Sequence, residues 1–220
     1  MTVLETLARL GRHGPLRDAW NGSVHTPLER LPMVAIDCET TGLDPRRDRI
    51  VSFAALRIEA GLQVAQQPVV DLLIDPGIDI PAHATAIHGL DRSRLAGAPS
   101  FAEAFPPIAE SLVGAVLVGH FVAFDLAMLR REAARAAMRW REPPSFDTAS
   151  LAAALGHPAD HVDLDVLLGR MGIAPTGRRH TAAGDARRVA DLFVALAHRL
   201  IGRGRGTYGG AAALQRAPWH

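Results

Sequence analysis

Apolar and polar positions change their spacing several times along the chain, and those changes predict its elements. Met33 to Ile36 is a short apolar run that ends in Asp37-Cys38-Glu39 and then the turn-rich Thr40-Thr41-Gly42-Leu43-Asp44-Pro45, a buried strand leading into a loop. Two more strand-like runs follow at 49–58 (RIVSFAALRI) and 69–74 (VVDLLI), separated by a glycine-containing turn at 60–62. Three successive strands predict an antiparallel meander. After Asp75-Pro76-Gly77 the period becomes helical over 101–112, then strand-like at 115–118, then helical from about 124 to 139. Beyond Pro143-Pro144, helices are expected at 148–155, 164–171 and 181–201. The ends differ from this middle. Residues 2–10 (TVLETLARL) carry helical spacing before a Gly, Pro and His stretch, so 1–30 reads as an N-terminal helical appendage to a domain over 31–201. Residues 202–220 (GRGRGTYGGAAALQRAPWH) are Gly- and Arg-rich and are expected to be a flexible tail.

Composition narrows the chemistry. The 220 residues are 48% hydrophobic and 21% charged, enough for one domain with a full core. No apolar run approaches the roughly 20 residues of a membrane-spanning helix, so no membrane contact is expected. Glu5, Arg9 and Arg12 interrupt the N-terminal apolar residues, which lacks the pattern of a secretory signal and points to the cytoplasm. A single cysteine, Cys38, excludes a disulfide framework and a multi-cysteine zinc cage, leaving oxygen ligands as the metal option. All 24 basic residues are arginine. With no lysine, Schiff-base catalysis, pyridoxal-phosphate attachment and a Walker P-loop are excluded. The formal net charge of +1 is not the footprint of a strongly basic nucleic-acid binder.

Carboxylates then stand where a core would not place them. Residues two apart on a strand share a face, so Asp37 and Glu39 project together while Ile36 and Cys38 face the other way. Taken alone, that pair is open between a divalent-metal site and a solvated strand end. On the last helix, Asp185 continues the stripe of Val189, Leu192, Phe193, Leu196 and Leu200, so it is either paired, protonated or liganded within a buried face or lies in an exposed first turn. His180, five residues before it, belongs to the turn leading into that helix. Asp125 follows a short apolar strand and opens an amphipathic helix, a place where Asp is also an ordinary helix-start residue.

Taken together, Asp37-Cys-Glu39-Thr-Thr-Gly, His120-Phe-Val-Ala-Phe-Asp125 and His180-Thr-Ala-Ala-Gly-Asp185-Ala resemble, in order, the three motifs of the DEDDh 3'-5' exonucleases, the group that contains the proofreading epsilon subunit of bacterial replicative DNA polymerase. The resemblance covers about Leu31 to Leu200 and includes Ile87-His88-Gly89-Leu90, similar to a loop that lines the family's nucleotide pocket. One departure is visible: family members often carry Asn where this chain has Phe121.

The resemblance implies an RNase H-like α/β fold with a central mixed sheet flanked by helices. It implies two Mg²⁺ or Mn²⁺ ions held by Asp37, Glu39, Asp125 and Asp185, with His180 accepting a proton from the attacking water. It places Thr40, Thr41, Leu43, His88 and Phe124 against the substrate. The expected activity is release of nucleoside 5'-monophosphates from the 3' ends of single-stranded DNA, in proofreading or repair. RNA or short oligonucleotides are the alternative substrate, and a non-catalytic binding or polymerase-accessory module the alternative of another class. Partnership with a polymerase is left open against a stand-alone enzyme.

Overall fold

The computed structural model describes residues 22–157 and 163–215; the sequence-predicted N-terminal helix at 2–10 lies outside them. A 3-10 turn at Leu28–Arg30 precedes strands β1 (Met33–Thr40), β2 (Ile50–Glu59), β3 (Gln63–Val64) and β4 (Val70–Leu73). Helices α1 (Ala82–His88) and α2 (Phe101–Leu112) lead to β5 (Val116–Gly119), α3 (Ala123–Arg135) and β6 (Ser145–Asp147). Helices α4 (Thr148–Ala154), α5 (Leu164–Arg170), α6 (Ala182–Gly202) and α7 (Tyr208–Gln215) complete the chain.

The strands form one mixed sheet in the order β3-β2-β1-β5-β6, with β4 also paired to β2. β1, β2 and β4 are antiparallel neighbours, as the meander required, whereas β5 and β6 run parallel to β1. Parallel strands end on the same edge of a sheet, so the carboxyl ends of β1 and β5 meet there. β1 is buried on both faces, which explains its unbroken apolar start. Its odd positions, Met33 and Ala35, pack with Leu56, Val118, Phe146 and the α6 stripe of Val189, Phe193 and Leu196. Its even positions, Val34, Ile36 and Cys38, pack with Phe53, Phe105, Ile108 and Leu129 on the side of α2 and α3. Helices therefore cover both faces, and β1 is the seam between two cores.

The tail corrects an expectation. Residues 208–215, expected to be flexible, form a helix that docks beside β6 at the edge of the sheet. Ala211 is fully buried, and Tyr208 packs its ring 5.6 Å from that of Phe146. Gln215 supplies what the exposed edge of β6 lacks: its side-chain oxygen accepts from the Asp147 N–H and its amide donates to the Ser145 carbonyl. Three alanines and one correctly placed glutamine outweigh the two glycines at the helix start because the helix has a surface to lie on.

Helix α3 ends earlier than its periodicity suggested, at Arg135 rather than 139. Ala137 turns into the left-handed region (φ 53°), which breaks the helical run.

Candidate metal centre

At the carboxyl end of β1 the side-chain parity delivers Asp37 and Glu39 to the α6 face, opposite Ala54 and Ser52 of β2. The ladder slips by one residue between Glu39 and Thr40, a bulge that ends the strand just after the second carboxylate. Asp185 comes from the first turn of α6, and ligand atoms of Asp37, Glu39 and Asp185 all lie within 4.8 Å of one another. Asp185 is buried, so the exposed-first-turn reading of this residue does not hold.

The carboxylate of Asp185 is oriented from both sides. Its Oδ2 accepts the backbone N–H of His180 at 3.0 Å, and its Oδ1 accepts Nη1 of Arg188 at 3.2 Å. His180 stands in the turn ahead of α6 with φ 56°, a left-handed residue that swings the chain round to put its N–H on that oxygen. Thr181 caps the helix by accepting the Gly184 N–H. Gly184 permits this fold-back: a Cβ there would overlap the carbonyl oxygen of Arg178. Arg188 also donates to the carbonyls of Thr176 and Gly177, so one buried guanidinium ties the turn to the acid it serves.

Asp125 arrives from the other side of β1. It sits buried in the first turn of α3, against Cys38, while Val122 at the head of that helix donates its N–H to Asp147 Oδ2 at 2.8 Å. Asp147 in turn caps α4 through Ser150, so the last residue of β6 aligns two helix starts.

Four carboxyl groups brought together this way resist ionisation. Burial pushes Asp37 well above the ordinary carboxylate range, and Asp125, Glu39 and Asp185 raise it further while Arg179 opposes them. Glu39 is pushed up to about 7, by burial first and then by Asp185 and Asp125. Asp125 rises to about 7, burial outweighing the Cys38 thiol and the N–H groups of Asp125 and Cys38 that favour its charged form. Asp185 is raised by burial against the pull of Arg179, the His180 N–H and Arg188. An all-oxygen donor set whose members repel one another is suited to a hard divalent cation. Cys38 lies on the opposite face of β1, packed in the α2/α3 core and against Asp125, and burial first, then the neighbouring carboxylates, push its pKa up.

The substrate-contact residues named from the sequence fall into two groups. Leu43 is 84% exposed at the tip of the loop after β1. Phe124 is partly buried against the α2/α3 core, with Phe121 beside it 51% exposed. Thr40, Thr41 and His88 are instead buried, with partners of their own. The Thr40 hydroxyl donates to the Gly42 carbonyl, the Thr41 hydroxyl to Asp48, and the Thr41 N–H to the Arg49 carbonyl. His88, at the end of α1, accepts the Leu90 N–H through Nδ1 at 3.0 Å, and its ring faces the Thr40 carbonyl. Burial lowers the pKa of His88, and nearby His180 adds to that. Phe121, where the family often has Asn, holds φ 56°, a conformation that Asn tolerates and an aromatic residue rarely adopts.

Sequence reasoning missed the arginines. Arg179 pairs with Asp163 at 3.2 Å and with Asp165, and its charge bears on Asp37, Glu39 and Asp185. The available signal was the Arg178-Arg179 pair directly before His180.

The family model for the exonucleases of the RNase T type matches residues 34–193, spanning every element that carries a carboxylate of this site. The chain belongs to this exonuclease family. A "DNA polymerase III subunit epsilon-like protein" of Rhodobacter capsulatus is 41% identical over 202 residues, 91% of this chain but 28% of that protein. Among solved structures, a moderately thermophilic Exonuclease I from Methylocaldum szegediense is 25% identical, with a TM-score of 0.65 over 77% of this chain and 41% of its own. Exonuclease X in complex with 5' overhanging duplex DNA superposes with a TM-score of 0.63 at 22% identity, over 83% of this chain and 99% of its own. The mixed sheet with helices on both faces is thus the RNase H-like exonuclease fold. This chain spans less than a third of the R. capsulatus relative. Among the described residues, no helix is long and apolar enough to cross a membrane.

Proposed function

We propose that this chain is a metal-dependent 3'-5' exonuclease that removes nucleoside 5'-monophosphates from single-stranded DNA. The observation that carries the reading is the convergence of Asp37, Glu39 and Asp185 within 4.8 Å, with Asp125 reaching the same strand end from the opposite face. These four would hold two divalent cations, Mg²⁺ or Mn²⁺. When bound, the cations supply a water of lowered pKa and neutralise charge on the attacked phosphate. Asp37, central to the acidic cluster, would hold them from the end of β1, with Asp125 contributing from the opposite face of that strand. The imidazole of His180 would accept the proton of the attacking water, and the backbone N–H of His180, bonded to Asp185, fixes the turn that carries it. Leu43 and Phe124 lie against the terminal nucleotide, contacts that read no base and so suit removal of any nucleotide. Thr40, Thr41 and His88 act from beneath, fixing the strand end that faces the 3' terminus.

The likeness to a DNA polymerase III subunit epsilon-like protein supports a setting in DNA replication, with a polymerase as partner. The test incubates purified protein with 5'- and 3'-labelled DNA and RNA oligomers, with Mn²⁺ or with chelator. Mononucleotide released first from the 3' label of DNA, and only with metal, is the expected result. Faster loss of the RNA label assigns the substrate to RNA instead, and cleavage unaffected by chelator removes the metal mechanism.

A further inference from the structure

The loop between β1 and β2 folds around one side chain. Asp48 accepts the Thr41 hydroxyl at 2.9 Å and the Asp44 N–H at 2.8 Å, and a Cβ on Gly42 would overlap its carboxylate. The loop is therefore a rigid unit with Leu43 at its tip. It is fastened from outside by α3. Arg135 donates Nη1 to the Asp48 carbonyl at 3.0 Å, and Nη2 to the carbonyls of Pro45 at 3.0 Å and Arg46 at 2.8 Å. The same Nη1 meets Glu132 Oε1 at 3.2 Å, and that oxygen also takes Nε of Arg49 at 2.6 Å.

Glu132 is 1% exposed, and its second oxygen is buried without a hydrogen-bond partner. A carboxylate in that position costs stability that apolar packing would not. What the charged arrangement provides is orientation, because a planar guanidinium fixes the angle as well as the distance of the groups it holds. Asp125 lies two turns before Glu132 on the same helix. Helix α3 thus carries a carboxylate of the acidic centre at one end and the fastening of the loop at the other.

We infer that Arg135 and Glu132 are positioning residues for the substrate: they set the reach of Leu43 from the carboxylates, so that a terminal nucleotide is gripped while its phosphodiester lies at the acidic centre. The inference rests on the exonuclease reading above. Arg135 can be changed without stranding a buried charge, since Arg49 continues to pair Glu132. With a short single-stranded oligomer, Arg135→Ala is expected to raise KM about tenfold and leave kcat within about twofold, the pattern of lost binding rather than lost chemistry. Arg135→Lys, with one donor centre instead of a fork, recovers part of the loss. Adding Leu43→Ala to Arg135→Ala produces no further rise, because both remove one contact. Should Arg135→Ala be insoluble, Arg135→Gln carries the same expectation. An unchanged KM, a fall in kcat alone, or multiplying effects of the two substitutions would overturn the inference while leaving the activity assigned. A parent protein without metal-dependent hydrolysis would instead remove the functional reading on which it rests.

Discussion

Asp37 and Cys38 are bonded neighbours on opposite faces of β1, one toward Glu39 and Asp185 and the other toward an apolar core and Asp125. That difference was legible from strand parity alone, as was the sharing of a face by Asp37 and Glu39. The resemblance supplied Asp125 and His180, whose residue types alone favour bland roles. Neither route reached Arg179, Arg188 or Glu132, because a charged residue on a helix is usually solvated and only tertiary contact shows otherwise. At this scale Asp37→Asn should lower metal-dependent turnover about a thousandfold or more while the protein stays folded, measured by single-turnover hydrolysis and circular dichroism. The raised pKa values give a second expectation. From the ordinary carboxylate range up to about 7, the folded chain keeps protons on Glu39 and Asp125 that the unfolded chain has released. Without cations, stability therefore falls as pH rises through that window. Saturating Mn²⁺ should raise Tm more at about pH 7.5 than at about pH 5.5, since at the lower pH protons compete for the ligands. Equal gains at both values would contradict the assignment of these pKa shifts.

Elements were legible where they are long or strongly patterned. β1, β2, β4, α2 and α6 follow from alternation or from the helical stripe. The two-residue β3 and three-residue β6 are too short to carry a period, and β6 follows two prolines that read as loop. Helix α1, with a single left-handed glycine as its stop, was overlooked because seven residues hold barely two turns. The junction of His180 with α6 is the element-scale feature on which the site depends. Gly184→Ala pushes a methyl group into the Arg178 carbonyl, and since backbone cannot step aside as a side chain does, the turn must open. The expected cost is about 1–3 kcal/mol in denaturant unfolding. Mn²⁺ affinity should weaken with it, because His180 and Arg178 move together; titration calorimetry reads the second effect directly.

Across the whole molecule, the acidic centre lies where two separately packed layers meet, and the outermost strand is closed by a helix from the end of the described chain. The sequence concealed that closure. A Gly-rich stretch reads as flexible unless the surface it covers is known, and β6, its surface, was itself invisible. Gln215→Ala leaves an N–H and a carbonyl of β6 without their side-chain partner, which should cost about 1–3 kcal/mol where those groups stay shielded from water. Because Asp147, whose N–H Gln215 takes, also holds the heads of α3 and α4, hydrogen exchange should quicken at Val122 and Ser150 as well as along β6.

The alternation along β1 also governs which changes of length this chain can survive. Deleting one residue between Met33 and Ile36 while the downstream pairing with β2 shifted to compensate would exchange the two sides of everything that follows: a thiol would point toward Asp185 and two acids into hydrocarbon. Variation by insertion or deletion should therefore gather in the connections between elements, and a strand that tolerates many single-letter exchanges at Val34 or Ala35 would still refuse the loss of either position.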